Sequence, residues 1–288
     1  MCRYIQKRMD REETGDRKGI LIDMIIDFHT HTFPEKIAKA SIESLSKCSG
    51  ITPHTDGTAD GLRRSMEEDG VDLSVVLPVV TRPAQFETVN RVAAKVCEAD
   101  DGLLSFGGIH PDCSDIREKI REIKGLGLKG IKIHPAYQEV YMDDIRYLRI
   151  LEAATEQGLI ISVHAGVDIG LPEPVYAAVE RILHAVRETA PEKFVLAHLG
   201  GWKEWDAVEE MIAGENVYLD TAFLEDYIGD DQLLRIIRKH GAEKILFGTD
   251  CPWSGQRESI ERLERLPLSE EEKKLIFSEN AERLLGLK

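Results

Sequence analysis

Six of the nine histidines in this chain lie at or just beyond the end of a short apolar segment. An imidazole can bind a divalent metal, orient a water molecule or move a proton near neutral pH. His29 and His31 are separated by one residue, and side chains alternate along an extended strand, so both imidazoles are expected to face the same side and share one ion. The other four are His110, His134, His164 and His198.

Two further residues complete a set of metal ligands. Asp250 follows the last apolar segment, and His164 ends a segment in the middle of the chain. If the segments close into a cylinder, the last lies beside the first, so Asp250 reaches the ion held by His29 and His31, while His164 approaches from the opposite side. Three imidazoles and one carboxylate with room for water form the open shell that catalytic zinc uses. The histidines expected to be structural or exposed are His54, His184 and His240.

Eight apolar segments alternate with helical patterns from residue 24 onward. The segments are rich in Ile, Val and Leu without polar alternation, as in parallel strands covered by helices. We predict strands at Met24–His29, Leu73–Val79, Leu103–Ile109, Leu128–Ile133, Leu159–His164, Phe194–His198, Val217–Thr221 and Ile245–Thr249. Helices are predicted at Ala59–Asp69, Thr88–Ala99, Asp143–Gln157, Glu173–Thr189, Glu204–Ile212, Asp230–His240 and Glu258–Leu266, with a capping-box start at Ser269.

This alternation allows a closed α/β barrel or an open doubly wound sheet. The open sheet predicts a glycine-rich phosphate loop after the first strand, but that strand runs into His29-Thr30-His31. We therefore predict a single-domain (β/α)8 TIM barrel over residues 24–288. Residues 1–23 mix charges without apolar periodicity, so we interpret them as a disordered arm or a non-native N-terminal extension.

The composition narrows the class of protein. Hydrophobic residues make up 42% of the 288, enough for one large core, and the formal net charge of −15 argues against nucleic acid or an anionic membrane as a partner. The five cysteines are an odd number without a CxxC pair, which favours reduced thiols in the cytoplasm. The expected partner is a small-molecule substrate, and no feature decides between a monomer and a homodimer.

Motifs follow one another in a specific order along the chain. They are IDFHTH at residues 26–31, GIKIHP at 130–135, VHAG at 163–166, AHLGG at 197–201, NVYLD at 216–220, FGTDCPW at 247–253 and ENAERLL at 279–285. This ordered set resembles the amidohydrolase superfamily, and in detail its amidohydrolase-related branch, which includes aminocarboxymuconate-semialdehyde decarboxylase. The likeness covers essentially all of residues 24–288.

The resemblance implies metal binding by His29, His31, His164 and Asp250, with His198 as the catalytic imidazole beside the metal-bound water. Many superfamily members hold two ions through a carboxylated lysine at the end of the fourth strand. Lys132 lies two residues before that end, so we expect one ion, zinc by preference, with manganese or iron also suited to these donors. The residues that could support the ligands or hold a second ion are Lys132, His134 and His110, and Lys132 could instead pair with Asp27.

Two enzymatic functions follow from these residues. The leading hypothesis is metal-dependent hydrolysis of a small amide, lactone or ester, in which a bound water with a pKa lowered towards about 7 attacks the carbonyl. Asp250 would take the proton, and His198 would orient the water or polarise the carbonyl. The alternative, found in the same branch, is non-oxidative decarboxylation of a small unsaturated or aromatic carboxylic acid.

A third hypothesis is an inactive barrel that only binds a partner, which requires a broken ligand set, whereas every expected ligand is present. The sequence does not separate hydrolysis from decarboxylation, because a cationic anchor suits both substrates. Candidate substrate-binding residues on strand-end loops are Arg82, Tyr137, Trp202 and Trp253, and Asp220 and Glu225 could also contact substrate.

Overall fold

Nine short parallel strand segments occupy the eight strand positions of a barrel in the computed structural model, which describes residues 24–287. The interpretation of residues 1–23 lies outside the described residues. The third position is split into two segments around Phe106. The segments are β1 Ile26–Thr30, β2 Leu73–Val76, β3 Leu103–Ser105, β4 Gly107–Gly108, β5 Gly130–Ile133, β6 Ile160–Val163, β7 Phe194–Leu196, β8 Tyr218–Asp220 and β9 Ile245–Leu246.

Backbone hydrogen bonds join the strands into a closed cylinder. Strands β1 to β3 pair in parallel, as do β4 to β9, and Phe106 N donates to Val76 O at 2.9 Å where the two sheets meet. On the other side, β1 pairs with the residues that follow β9, since His31 N donates to Cys251 O at 2.7 Å and Asp250 N to His29 O at 2.8 Å. The predicted TIM barrel is confirmed.

An extra residue in β1 shapes the first strand. Asp27 pairs with Ser74 and Thr30 with Val76, so one more residue lies on β1 than on β2 between these pairs. Such bulges re-aim side chains and are common beside active sites. Phe28 accordingly packs edge-to-face against Phe106 at 5.8 Å among the residues that fill the barrel, and His29 also faces the mouth.

Helices cover the strands. Two predicted helices have the predicted bounds, Ala59–Asp69 and Asp230–His240, whereas the predicted helix at 173–189 starts only at Val179. The helices are α1 Glu35–Ser49, α2 Ala59–Asp69, α3 Phe86–Ala99, α4 Ile116–Gly125, α5 Pro135–Gln138, α6 Ile145–Glu156, α7 Val179–Thr189, α8 Trp205–Ala207, α9 Asp230–His240, α10 Gln256–Arg265, α11 Glu270–Lys274 and α12 Asn280–Leu285, and π-helical turns span Val208–Ile212 and Leu275–Glu279.

Helices α1 and α4 were not predicted from the sequence. Helix α1 buries only Ala38 and Ile42, and its carboxyl end contacts the loop after β6, where Cys48 Sγ donates to Gly170 O at 3.3 Å. It therefore leans across the barrel mouth rather than packing against the strands. None of the described helices is both long and apolar enough to cross a membrane.

Candidate active site

Three side chains converge at the barrel mouth with their ligand atoms close together. His29 Nε2 and His31 Nε2 are 3.2 Å apart, and Asp250 Oδ1 lies 3.3 Å from the first and 3.0 Å from the second. His29 and Asp250 are buried, with 1% and 8% of their surface exposed. Two nitrogens and one oxygen at these spacings can hold one metal ion.

Hydrogen bonds at the far side of each ring determine where its proton sits. His29 Nδ1 lies 2.9 Å from Asp220 Oδ2, and His31 Nδ1 lies 2.8 Å from Leu77 O. Both partners are acceptors, so each Nδ1 carries the proton and each Nε2 presents a lone pair. Two lone pairs and a carboxylate oxygen then face one another without a proton between them, an arrangement that a bound cation stabilises.

The backbone at Asp250 turns the carboxylate into this group. Asp250 adopts φ 71°, in the left-handed region that non-glycine residues seldom occupy, and the following Cys251 is buried with Thr249 Oγ1 accepting its N–H at 3.0 Å. Strand β9 ends at Leu246, three residues before the predicted end. Strained backbone of this kind concentrates at functional sites.

The charges in this group favour a cation. Burial, then the nearby Lys132, holds the pKa of His29 well below 6.5, so this imidazole is neutral. Burial alone would raise the pKa of Asp250, but the positive charge that His29 and His31 carry in their protonated forms brings it down to about 2. An ionised carboxylate beside a neutral imidazole lone pair is a donor set for a divalent ion.

His164 lies in a second group, with His134 and Asp168, whose ligand atoms also lie within 4.8 Å of one another. Asp168 Oδ2 is 3.6 Å from His134 Nε2 and 3.8 Å from His164 Nε2, which is longer than a hydrogen bond. The structure thus divides the four expected ligands, placing three in one group and His164 in the neighbouring one.

His198 connects these groups through its ring. Its Nδ1 donates to Ala222 O at 3.0 Å, so its Nε2 is a lone pair, and that nitrogen lies 3.1 Å from His164 Nδ1, while His164 Nε2 lies 3.3 Å from Val167 O. The backbone of His198 is in turn held by Asp220 Oδ1, which accepts its N–H at 2.9 Å. Burial lowers the pKa of His198 to about 4, so the ring is neutral near pH 7.

Lys132 lies inside the barrel, 1% exposed, with Nζ 3.4 Å from His29 Nε2. Burial lowers its pKa to about 8. The alternative role, an ion pair with Asp27, is not seen among the described contacts of Lys132, and Asp27 accepts hydrogen bonds from Thr249 and Gln256. Lys132 therefore adds a positive charge next to the metal-ligand group.

The remaining histidines expected near the site differ in position. His134 lines the cavity, its ring stacked on Tyr137 at 4.0 Å and its backbone N–H bound to Gln138 Oε1 at 3.0 Å. Its Nδ1 accepts from Tyr137 N at 3.4 Å, which places the proton on Nε2, towards Asp168. His110 does not line the cavity, and its Nδ1 accepts from Asp112 N at 3.1 Å at the end of β4.

A cavity of about 760 Å³ opens above these groups. Three of the four expected substrate-binding residues line it, namely Tyr137, Trp202 and Trp253. Arg82 is exposed and is not among the lining residues, so the expectation of a carboxylate anchor at Arg82 finds no support in its position. Most of the lining is apolar.

Three acidic residues near the site differ from what the sequence analysis expected of them or were not considered in it. Asp220 does not face substrate but is fully buried behind His29 and His198. Asp168, buried in the loop after β6, was not singled out, although its spacing of four residues after His164 was a usable signal. Glu225, the other expected substrate contact, accepts hydrogen bonds from Ser254 and Ser259.

Comparison with protein families gives one match over nearly the whole described chain. The sequence model of the amidohydrolase family matches residues 26–287. A search of curated proteins gave no match.

Solved structures with the same fold include several decarboxylases. The 5-carboxyvanillate decarboxylase of Sphingomonas paucimobilis is 17% identical with a TM-score of 0.67, and the match covers 91% of this chain and 99% of that one. The 2,6-dihydroxybenzoate decarboxylase from Rhizobium is 16% identical with a TM-score of 0.70, covering 92% and 99%. The 5-carboxyvanillate decarboxylase of Novosphingobium aromaticivorans, in complex with manganese and 4-hydroxy-3-methoxy-5-nitrobenzoic acid, is 15% identical with a TM-score of 0.68, covering 91% and 96%. These identities establish a shared fold.

Proposed function

Because the chain belongs to the amidohydrolase family, we propose that it is a metal-dependent, non-oxidative decarboxylase of an aromatic or unsaturated carboxylic acid. The observation that carries the proposal is the set of three proton-free donor atoms, on His29, His31 and Asp250, at the base of a mostly apolar cavity. The three structural neighbours described above are decarboxylases of aromatic acids, which favours this reaction over hydrolysis.

The residues present fit a divalent ion. His29, His31 and Asp250 would hold it, and the bonds from His29 to Asp220 and from His31 to Leu77 O would keep both Nε2 lone pairs directed at it. When bound, the ion would supply positive charge that holds the substrate carboxylate and a neighbouring oxygen. Zinc, the ion expected from the sequence, and manganese, present in a structural neighbour, both suit two imidazoles and a carboxylate.

The apolar walls favour loss of carbon dioxide. A carboxylate is charged and carbon dioxide is neutral, so apolar surroundings disfavour the reactant relative to the product. Tyr137, Trp202 and Trp253 offer aromatic faces against which a planar ring can pack. The bond between the carboxylate carbon and the ring breaks, and its electron pair stays on the ring carbon, which must then receive a proton.

Asp168 suits the role of proton donor. Burial raises the pKa of its carboxyl group, whereas the pKa of Asp250 is held at about 2, so Asp250 serves as a ligand rather than an acid. Asp168 Oδ2 lies 3.6 Å from His134 Nε2 and lines the cavity, from which a replacement proton would reach it after each turnover. His198, expected to be catalytic, would position His164 through the bond between Nε2 and Nδ1.

The test is a substrate panel on one preparation supplied with manganese or zinc, with its metal content measured. Ring-hydroxylated benzoic acids should release carbon dioxide, and in D2O the product should carry one deuterium at the carbon that lost the carboxylate. Asp168→Asn should lower kcat by about 100-fold or more, whereas Asp112→Asn, on an exposed loop, should not. Metal-loaded protein that releases no carbon dioxide from any acid of the panel would contradict the proposal.

Hydrolysis remains the second candidate because the matching family model is that of the amidohydrolases. In that reaction Asp250 would accept a proton from the attacking water, and His198, which is neutral and lines the cavity, would orient that water. A panel of lactones, amides and esters on the same preparation distinguishes the two. Ring-opened or cleaved products without carbon dioxide would establish hydrolysis.

A further inference from the structure

The cavity extends beyond the metal-ligand group into the layer between helix α3 and the sheet. Besides the residues of the mouth, its lining includes Pro78, Val79 and residues of α3 and of strands β2 and β3. We call this extension the apolar arm. Its walls are Val76, Val89, Val92, Ala93, Val96 and Ser105.

An open channel in this layer departs from ordinary packing. Helices and strands in protein interiors normally interdigitate with few voids larger than a water molecule. On α3, Val89, Val92 and Val96 recur three and four residues apart and line the cavity half-buried, beside the face that buries Phe86, Asn90 and Ala93, and larger side chains at the three valine positions would fill the space. The small side chains leave the arm open.

Hydrogen bonds hold α3 at this distance from the sheet. Asn90 Nδ2 donates to Gly108 O at 2.9 Å, and Gly108 N donates to Asn90 Oδ1 at 3.0 Å. Phe86, one turn earlier, is buried in the same layer. The helix is thereby fixed to β4 beside the arm and cannot close the arm by moving onto the sheet without breaking these bonds.

The arm has the chemistry of a site for hydrocarbon. No charged side chain is among its lining residues, and the hydroxyl of Ser105 already donates to Phe106 O at 3.0 Å. At the cavity opening, two large apolar side chains are exposed, Ile37 at 51% and Leu171 at 41%. Exposed apolar groups around an opening commonly mark a binding site.

The volume also exceeds what a small acid needs. Cavities of about 300–1,000 Å³ enclose drug-sized ligands, and this cavity, at about 760 Å³, lies in the upper part of that range. That volume includes the mouth around the metal-ligand group, and an acid with a single ring held there would leave the arm unoccupied.

We propose that the substrate is an amphipathic acid, whose carboxylate lies at the group formed by His29, His31 and Asp250 and whose unbranched alkyl or alkenyl tail lies in the apolar arm. This inference rests on the proposed function for the identity of the head group. The tail site itself rests on the walls of the arm, its continuity with the polar group, and the fixed position of α3.

The experiment measures binding rather than turnover. Manganese-loaded protein is titrated calorimetrically with 2-hydroxybenzoic acids that carry unbranched ring substituents of increasing length. The dissociation constant should fall about fourfold with each added methylene until the arm is full. An affinity that stays constant or weakens as the tail lengthens would overturn the proposal.

A matched pair of variants locates the tail. Val92→Phe places a ring in the arm and should abolish the dependence of affinity on tail length. Arg91→Phe adds the same ring on the exposed face of α3 and should leave that dependence intact. Thermal unfolding of both variants checks the fold, and an unchanged dependence in a folded Val92→Phe protein would also overturn the proposal.

The outcome separates the two proposals. If affinity rises with tail length but no acid loses carbon dioxide, the proposed reaction fails and the arm stands as a tail-binding site. If short acids release carbon dioxide but longer tails give no gain in affinity, the proposed function stands and the amphipathic substrate is wrong.

Discussion

Asp220 accepts a hydrogen bond from His29 Nδ1 at 2.9 Å, and this contact decides which nitrogen of His29 faces the cavity. The other carboxylate oxygen of Asp220 accepts the backbone N–H groups of His198 and Ala222. One buried carboxylate thus sets the proton position of a proposed ligand and the backbone position of the neighbouring histidine. Such outer partners of ligating histidines tune metal affinity.

Replacing Asp220 should therefore weaken metal binding without removing a ligand. Asp220→Asn offers an amide group to His29, loses the charge that favours the Nδ1–H form, and should raise the dissociation constant for zinc or manganese by about 10- to 100-fold. Competition with a chromophoric chelator measures this constant.

Asp72→Asn is the matched control for that experiment. Asp72 is also a buried aspartate, but it lies at the opposite end of β1 from the ligands, where its Oδ2 accepts Ile25 N at 2.9 Å. This variant should lower the free energy of unfolding and leave the dissociation constant for metal within about threefold of that of wild type. Equal losses in the two variants would show that any buried charge removed here loosens the site, contrary to a specific role for Asp220.

The positions of the strands could be predicted because parallel strands buried on both faces are apolar runs. The shared orientation of His29 and His31 could also be predicted from alternation. Alternation alone, however, places Phe28 and His29 on opposite faces. The extra residue in β1 allows Phe28 to pack inside the barrel while His29 faces its mouth, and a bulge leaves no mark in one sequence.

Other features of the site could not be predicted, because they depend on the course of loops and on how helices pack against the sheet. Asp168 belongs to the loop after β6, whose course brings it to His134 from another strand, and sequence spacing does not encode that approach. Arg82 follows the correct strand but is exposed and does not line the cavity. The apolar arm is a space beside α3 that side chains leave empty. The apolar pattern of α3 is that of an ordinary packed helix, so the sequence gives no sign of this space.

Removing a ligand should release the metal. His29→Ala or Asp250→Asn deletes one of three donor atoms and should reduce the metal content of purified protein to less than about a tenth of wild type. His184→Ala, on an exposed helix face, should retain full occupancy. Elemental analysis measures both.

Chelation provides a second measurement of the same site. A ligand that binds only the folded state stabilises it, by about 2.7 kcal/mol at a concentration 100 times its dissociation constant. Chelator should therefore lower the melting temperature of wild type and leave that of His29→Ala unchanged. A ligand variant that keeps full metal content and the chelator-sensitive melting temperature would contradict the assigned ligand group.

Two of the expected substrate-binding residues differ in whether they line the cavity, and replacing them should have different effects on KM. Tyr137→Ala removes an aromatic wall that stacks on His134 and should raise KM by about tenfold or more. Arg82→Ala alters an exposed side chain outside the lining and should leave KM within about twofold. Steady-state kinetics with any active acid or lactone measures this contrast, and a large KM effect confined to Arg82→Ala would indicate a substrate path that the cavity does not describe.

His240 should make the stability of the fold depend on pH. The sequence placed it at a helix end, where a cation is favoured, but its ring is buried, with Nδ1 accepting from Gly214 N at 3.1 Å and Nε2 3.0 Å from Val217 O. Burial lowers the pKa of His240 below 6.5. The unfolded chain then binds more protons at this residue than the folded chain does.

The sign of the effect follows from this difference in proton binding. The stability that neutral His240 contributes is complete above the unfolded pKa of 6.5 and is lost as the pH falls towards the lower folded value. His240→Gln can accept from Gly214 N and donate to Val217 O without titrating, so its free energy of unfolding should fall less than that of wild type between about pH 7.5 and about pH 5. Urea unfolding at both pH values measures the difference. His184→Gln, on an exposed helix face, should follow wild type, and a His240→Gln protein with the wild-type pH dependence would show that His240 is not the group that titrates.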